Sequence, residues 1–204
     1  MDALIIFARL PRAGEVKTRL GLEIGMENAA TIYAEFAHHA FSLGKRMQSA
    51  GVSVYLFFDP LATEQEVQRW VGHRFKFLSQ DGDDLGERMF NAFERTFRDG
   101  ADRMLIIGTD VPELNDGVLA NAFDNLLRND VVIGPSTDGG YYLLGMRSPA
   151  KGLFQGIPWS TDSVLRNTLA KAGELGLSVW LLGQLADIDD ETDYNAYIRR
   201  REKT

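Results

Sequence analysis

Short apolar, β-branched runs alternate with longer amphipathic segments along nearly the whole sequence. Strands separated by helices in this way build βαβ units. The pattern therefore predicts an α/β Rossmann-like sandwich, with a mostly parallel central sheet and helices on both faces. The strand candidates are 4–8, 52–58, 75–78, 103–107, 131–134, 141–146 and 178–182. Helices are expected at 27–50, 64–71, 84–98, 115–128, 161–172 and 191–201. In the first of these, Ile32, Phe36, Ala40, Leu43 and Met47 recur at three-or-four spacing, which gives one apolar face. Asp83 or Asp84 suits the start of 84–98, and Ser160 or Thr161 the start of 161–172. No internal repeat or low-complexity linker divides the chain, so residues 1–204 read as one domain.

Composition removes several functions. The net charge is −7 with no basic stripe, which argues against a nucleic-acid partner, because phosphate neutralisation needs clustered Lys and Arg. There is no cysteine, hence no disulfide, thiolate metal site or cysteine nucleophile. No stretch approaches the ~20 apolar residues of a membrane span, and the N-terminal segment lacks the basic start of a signal peptide. A cytoplasmic enzyme is the expectation. His38 and His39 lie mid-helix without a metal-ligand spacing and read as structural.

In open α/β sheets ligands bind beyond the carboxyl ends of the strands. The loop after the first strand carries Arg9, Arg12, Lys17 and Arg19, four cations within eleven residues, around Gly14. Gly14 frees the backbone to wrap an anion, and Arg and Lys suit a diphosphate. The spacing matches neither of the common phosphate-loop fingerprints. Gln80, Gly82, Gly86 and Arg88 surround the start of the helix at 84–98, where turn chemistry or close approach of a ligand are both open. Asp110 follows the apolar run Met104-Leu105-Ile106-Ile107, where a rigid strand end suits a carboxylate ligand for a hard cation. Asp138, Gly139, Gly140 and Tyr141 follow the next strand and can meet a substrate closely. Tyr141 and Tyr142 point to opposite faces if they begin a strand, one for the core and one for a pocket. Asp187 and Asp189 share a face if extended, and either can add a second carboxylate to the metal; acids here equally suit the start of the closing helix, so both readings are open. Trp70, Trp159 and Trp180 read first as core or lobe packing, though Trp159-Ser160-Thr161 can also edge an acceptor pocket.

Taken together, the segments Phe-Ala-Arg-x-Pro-x-x-Gly-x-Val-Lys-Thr-Arg-Leu, Gln-x-Gly-x-x-Leu-Gly-x-Arg-Met, Gly-Thr-Asp-x-Pro, Gly-Pro-x-x-Asp-Gly-Gly-Tyr-Tyr-Leu and Asp-x-Asp resemble the DUF2064 family. Its members are glycosyltransferase-like proteins of the GT-A, or nucleotide-diphospho-sugar transferase, superfamily. The resemblance runs from about Ala3 to Tyr194. It implies a nucleotide phosphate site at Arg9, Gly14, Lys17 and Arg19, with Gln80, Gly82 and Arg88 near base, ribose or phosphates. It implies Mg²⁺ or Mn²⁺ on Asp110, with Asp187 or Asp189 completing the metal shell or acting as base. Asp138, Gly139, Gly140 and Tyr141 would approach sugar or acceptor, with Asp138 as base and Lys17 and Arg19 stabilising the leaving group. Many GT-A glycosyltransferases carry Asp-x-Asp at the metal loop, whereas Thr109-Asp110-Val111-Pro112 has a single acid. A lone acid also resembles nucleotidyltransferases. The expected function is glycosyl transfer from a nucleotide sugar to a small acceptor. Nucleotidyl transfer from a nucleoside triphosphate to a phosphorylated small molecule, or noncatalytic nucleotide binding, stand beside it.

Overall fold

A computed structural model describes residues 1–202. Seven strands form one sheet in the order β3-β2-β1-β4-β6-β5-β7. They are β1 (Asp2–Ala8), β2 (Ser53–Phe58), β3 (Lys76–Ser79), β4 (Arg103–Ile107), β5 (Val131–Pro135), β6 (Tyr141–Met146) and β7 (Val179–Leu181). All neighbours are parallel except β6, which runs antiparallel to both β4 and β5. The helices are α1 (Thr18–Ile24), α2 (Met26–Ser49), α3 (Glu64–Val71), α4 (Leu85–Arg98), α5 (Asp116–Asn125), α6 (Val164–Glu174) and α7 (Glu191–Arg201), with a 3₁₀ turn at Lys151–Phe154.

The alternation of β1 explains the sandwich. Leu4, Ile6 and Ala8 face one side and pack with Ala37, Phe41 and Leu43 of α2, Val67 of α3 and Leu119 and Phe123 of α5. Ala3 and Ile5 face the other and pack with Met89, Ala92 and Phe93 of α4 and with Leu153 and Ala172. Both faces of the sheet are thus covered, as a parallel sheet of near-continuous apolar strands requires. Capping follows the residue types: Asp84 accepts from the Glu87 amide and Asn115 from Val118. Helix α7 opens with a capping box between Asp190 and Asp193. Its basic last turn carries Arg200, paired with Glu113 at 2.8 Å.

Two expectations change. Helix α6 begins at Val164, after Ser163, rather than at residue 161. Ser160 takes a left-handed backbone (φ 63°), and the Thr161 hydroxyl donates to the Pro158 carbonyl at 2.8 Å instead of capping the helix. Helix α1 was not expected. It is one short element between the basic loop and Gly25, whose positive φ (92°) separates it from α2.

β1 sits between β2, reached through α2, and β4 on its other side. The connections leave β1 and β4 in opposite directions, which makes this boundary a topological switch point, where such sheets open a crevice.

Candidate active site

A cleft of about 520 Å³ opens over this boundary. Arg9 and Lys17 reach it from the loop after β1, Arg19 from the first turn of α1, Gly108, Thr109 and Asp110 from the loop after β4, Tyr141 from the start of β6, and Asp189 from the segment before α7. A smaller lobe of about 190 Å³ adjoins it, lined by Ser136, Asp138, Gly140, Trp159, Thr161 and Asp187 among others. Asp110, Tyr141 and Ser160 line both.

Lys17 is the hub. Its side chain is only 3% exposed, and its ammonium lies 2.6 Å from Asp110 Oδ1 and 3.0 Å from Asp189 Oδ1. Arg19 adds a longer contact to Asp189 at 3.9 Å. Burial alone pulls the Lys17 pKa down, but the two carboxylates outweigh it and hold the ammonium above the ordinary lysine value. The backbone of Lys17 is left-handed (φ 47°, ψ 44°). Lys17 and Ser160 are the two non-glycine residues with positive φ among the described residues, and both line the large cleft. Such conformations are sparsely populated for residues with a side chain and concentrate at functional sites.

The carboxylates are held by backbone as well as charge. The Ile188 amide donates to the Asp110 carbonyl at 3.2 Å, locking residues 187–189 beside the end of β4. Ile188 is fully buried, so Asp187 and Asp189 share the opposite face, as the alternation predicts. They divide between the lobes: Asp189 meets Lys17, and Asp187 lines the small lobe with Asp138. Burial, then the charges of Asp138 and Asp189, push the Asp187 carboxyl up to about 6. Asp138 accepts from the Ser136 hydroxyl and from the Gly140 amide at 2.8 Å, which fixes its orientation.

Tyr33 of α2 supports the site from below. Its hydroxyl accepts from the Arg9 amide at 2.9 Å and from the Thr109 hydroxyl at 3.2 Å. It also donates to the Arg9 carbonyl at 3.2 Å. One phenol thus joins the ends of β1 and β4, and burial together with the Asp110 charge pushes its pKa up to about 12. The sequence reading missed Tyr33; its place on the apolar face of α2, among Phe36 and Ala37, was the available signal.

Other expected residues have different surroundings. Gly14 has a positive φ (81°) in the basic loop but lies outside the cleft lining. Arg12 turns away and pairs with Glu66 at 2.8 Å. Arg9 lines the cleft while contacting Asp59 at 3.3 Å. Gln80 reaches the cleft, but its amide donates to the Phe57 carbonyl at 3.0 Å. Neither Gly82 nor Arg88 lines either lobe. The Arg88 guanidinium donates to the Gly82 carbonyl at 3.1 Å and staples that loop to α4. Gly86 makes room for protein rather than ligand, since a Cβ there would stand 2.4 Å from the Trp159 indole. Gly139 likewise packs on the Asp162 carbonyl, and Gly140 lines the small lobe. Tyr141 and Tyr142 face different core clusters, as their alternation predicts; both rings reach the lobes, and the Tyr142 hydroxyl donates to Gly183.

For a hard cation, the donor set is Asp110 and Asp189. Apart from its charge contact with Lys17, the buried Asp110 Oδ1 has no hydrogen-bond donor. Among the described residues no three His, Asp or Glu side chains converge into a complete shell. Two carboxylates fit Mg²⁺ or Mn²⁺ held jointly with substrate phosphates rather than in an all-protein cage.

The fold is an α/β sandwich that matches nucleotide-diphospho-sugar transferase-like proteins. All of this chain aligns with 90% of a candidate nucleotide-diphospho-sugar transferase from Desulfovibrio desulfuricans G20, at 32% identity and a TM-score of 0.94. The model of the family described as "Uncharacterized protein conserved in bacteria (DUF2064)" matches residues 40–161, and the chain belongs to that family. More distant likenesses show the fold alone. One is CMP:2-keto-3-deoxy-manno-octonic acid synthetase complexed with CTP, at 14% identity over 99% of this chain and 98% of that one, TM-score 0.56. Another is the inositol-1-phosphate CTP transferase from T. maritima, at 15% identity over 98% and 94%, TM-score 0.60. A comparison with curated proteins finds no match. Among the described residues no helix is long and apolar enough to cross a membrane.

Proposed function

We propose that this single-domain protein is a glycosyltransferase that takes a nucleotide sugar in the large cleft and passes the sugar to an acceptor in the adjoining lobe. The buried Lys17 ammonium between Asp110 and Asp189 carries this reading. A fixed cation at a switch-point crevice, flanked by Arg9 and Arg19, suits the diphosphate of a nucleotide donor. Mg²⁺ or Mn²⁺ bound with the donor to Asp110 and Asp189 would neutralise phosphate charge. An acceptor hydroxyl oxygen forms a bond to the anomeric carbon. The carbon–oxygen bond to the diphosphate breaks, its electron pair leaves with the nucleoside diphosphate, and Lys17 and Arg19 take up the developing charge. The hydroxyl proton goes to a carboxylate of the small lobe. Asp138 and Asp187 both line it, Asp138 oriented by two donors.

Nucleotidyl transfer from a nucleoside triphosphate is the second reading, favoured by the CTP-using proteins that share the fold. Thermal unfolding against nucleotide sugars and nucleoside triphosphates, with and without Mn²⁺, separates the two. A ligand at about 100 times its Kd adds ~2.7 kcal/mol, a rise of roughly 5–10 °C for a domain of this size. A shift with a nucleotide sugar alone supports glycosyl transfer; a shift with triphosphates alone replaces it with nucleotidyl transfer. With the donor in hand, Asp110→Asn should lower turnover by on the order of 10²–10³ while the fold is kept. Near-normal turnover would remove Asp110 from the site.

A further inference from the structure

From the distribution of charge between the two lobes, we infer that the acceptor is a hydroxyl-bearing molecule carrying no phosphate or other anionic group. This deepens the proposed function and rests on it.

Every cation of the cleft lies in the large lobe: Arg9, Lys17 and Arg19 line it. Among the described residues the charged side chains lining the small lobe are Asp110, Asp138 and Asp187, all acids. The large lobe also carries Glu15 and Asp189 beside its three cations, so charge is mixed there and only acidic in the small lobe; Asp110 lines both, and its charge partner Lys17 reaches it from the large-lobe side. Lys17 itself does not line the small lobe.

Hydrogen-bond polarity points the same way. An ionised carboxylate only accepts, and so does a fully ionised phosphate. The donors nearest Asp138 are already engaged, since the Ser136 hydroxyl and the Gly140 amide both point at its carboxylate. The Thr161 hydroxyl is likewise directed to the Pro158 carbonyl. A phosphate placed here would meet like charge and few free donors, and like-charge contact is a common means of rejecting a wrong ligand. A polyol offers what the lobe lacks, namely O–H donors for Asp138 and Asp187. The Trp159 indole supplies an apolar wall beside them, seated on Gly86.

The arrangement therefore discriminates between the two transfer chemistries at the acceptor rather than at the nucleotide. Nucleotidyl transfer to a phosphorylated molecule needs a phosphate beside Asp138 and Asp187, whereas glycosyl transfer to a hydroxyl needs a proton acceptor there.

The test uses matched pairs, glycerol against glycerol 3-phosphate and glucose against glucose 1-phosphate, on the full chain with the stabilising nucleotide and Mn²⁺. Binding is read by quenching of Trp159 fluorescence, with Trp159→Phe as the control that removes the signal, and turnover by release of nucleoside diphosphate. The neutral member of each pair should be preferred by at least about tenfold. Thr161→Lys puts a cation on the exposed rim of the lobe and should narrow that preference by improving use of the phosphate ester. Equal or better use of the phosphate esters by the wild-type chain overturns the inference. So does a protein that takes up nucleotide while neither member of any pair binds or reacts, and that outcome leaves the nucleotide site standing. A protein stabilised by no nucleotide fails the proposed function itself, and the inference falls with it.

Discussion

Asp187 is the carboxylate whose environment departs furthest from its solution state. Burial and two neighbouring acids raise its pKa from 3.8 to about 6. The folded protein therefore binds more protons than the unfolded chain between about pH 4 and pH 6. The associated stability is present in full below that window and is lost as pH rises through it. In metal-free, ligand-free protein, Asp187→Asn should stabilise by about 1 kcal/mol at pH 7.5, after discounting for a partly solvated group, and by far less at pH 4. Urea unfolding at the two pH values measures this, and an equal effect at both would mean that Asp187 ionises normally. At this scale the sequence was informative wherever a charged residue followed an apolar strand. Asp110, Lys17 and Asp189 were legible for that reason, and they converge. Gly82 and Arg88 have the same local signature, yet serve the loop itself. A motif records residue types and spacing, and does not say whether a guanidinium finds a carbonyl of its own chain before it meets a ligand.

Helix α2 shows how an element far from the chemistry sets it. Its phenol at Tyr33 ties the loop after β1, at Arg9, to the loop after β4, at Thr109, a residue 76 positions further along the chain than the tyrosine. Tyr33→Phe keeps the packing and removes the hydroxyl, leaving the Arg9 amide and the buried Thr109 hydroxyl without that partner. The expected cost is about 1–3 kcal/mol, read as a lowered urea midpoint with an unchanged slope. Nucleotide affinity should fall as well, since Arg9 and Asp110 are positioned from the two tethered loops; unchanged stability and affinity would show that the tether is dispensable. Most elements were legible because their period and their stop signals agree, as in α3 between Thr63 and Gly72. Helix α1 escaped because seven residues give too little periodicity, and its boundary with α2 is a single glycine. The start of α6 was misplaced because Ser160 and Thr161 look like caps, while the backbone at Ser160 turns left-handed to bring Trp159 over Gly86.

For the molecule as a whole, the sheet order decides which charges meet. No local pattern places Lys17, from the first loop, between Asp110 and Asp189, the last of them 172 residues away. Only the switch between β1 and β4 does so, together with the return of residues 187–189 along the end of β4. This convergence has a thermodynamic consequence. With Lys17 seated between them, the two carboxylates already have a cation, and a divalent ion arriving alone must compete with it. Donor phosphates offer the ammonium another anion and add oxygen ligands to the metal, so metal and nucleotide should bind with positive coupling. Coupling free energies are reciprocal, so Mn²⁺ should tighten the nucleotide by the same factor by which the nucleotide tightens Mn²⁺, on the order of tenfold or more. Calorimetric titrations in both orders measure the two factors independently. In Lys17→Met the carboxylates lose their resident cation. Mn²⁺ should then bind without nucleotide, nucleotide affinity should drop, and the coupling should shrink. If Mn²⁺ alone binds the wild type as tightly as it binds Lys17→Met, the lysine does not compete with metal, and the assignment of Asp110 and Asp189 as its ligands fails.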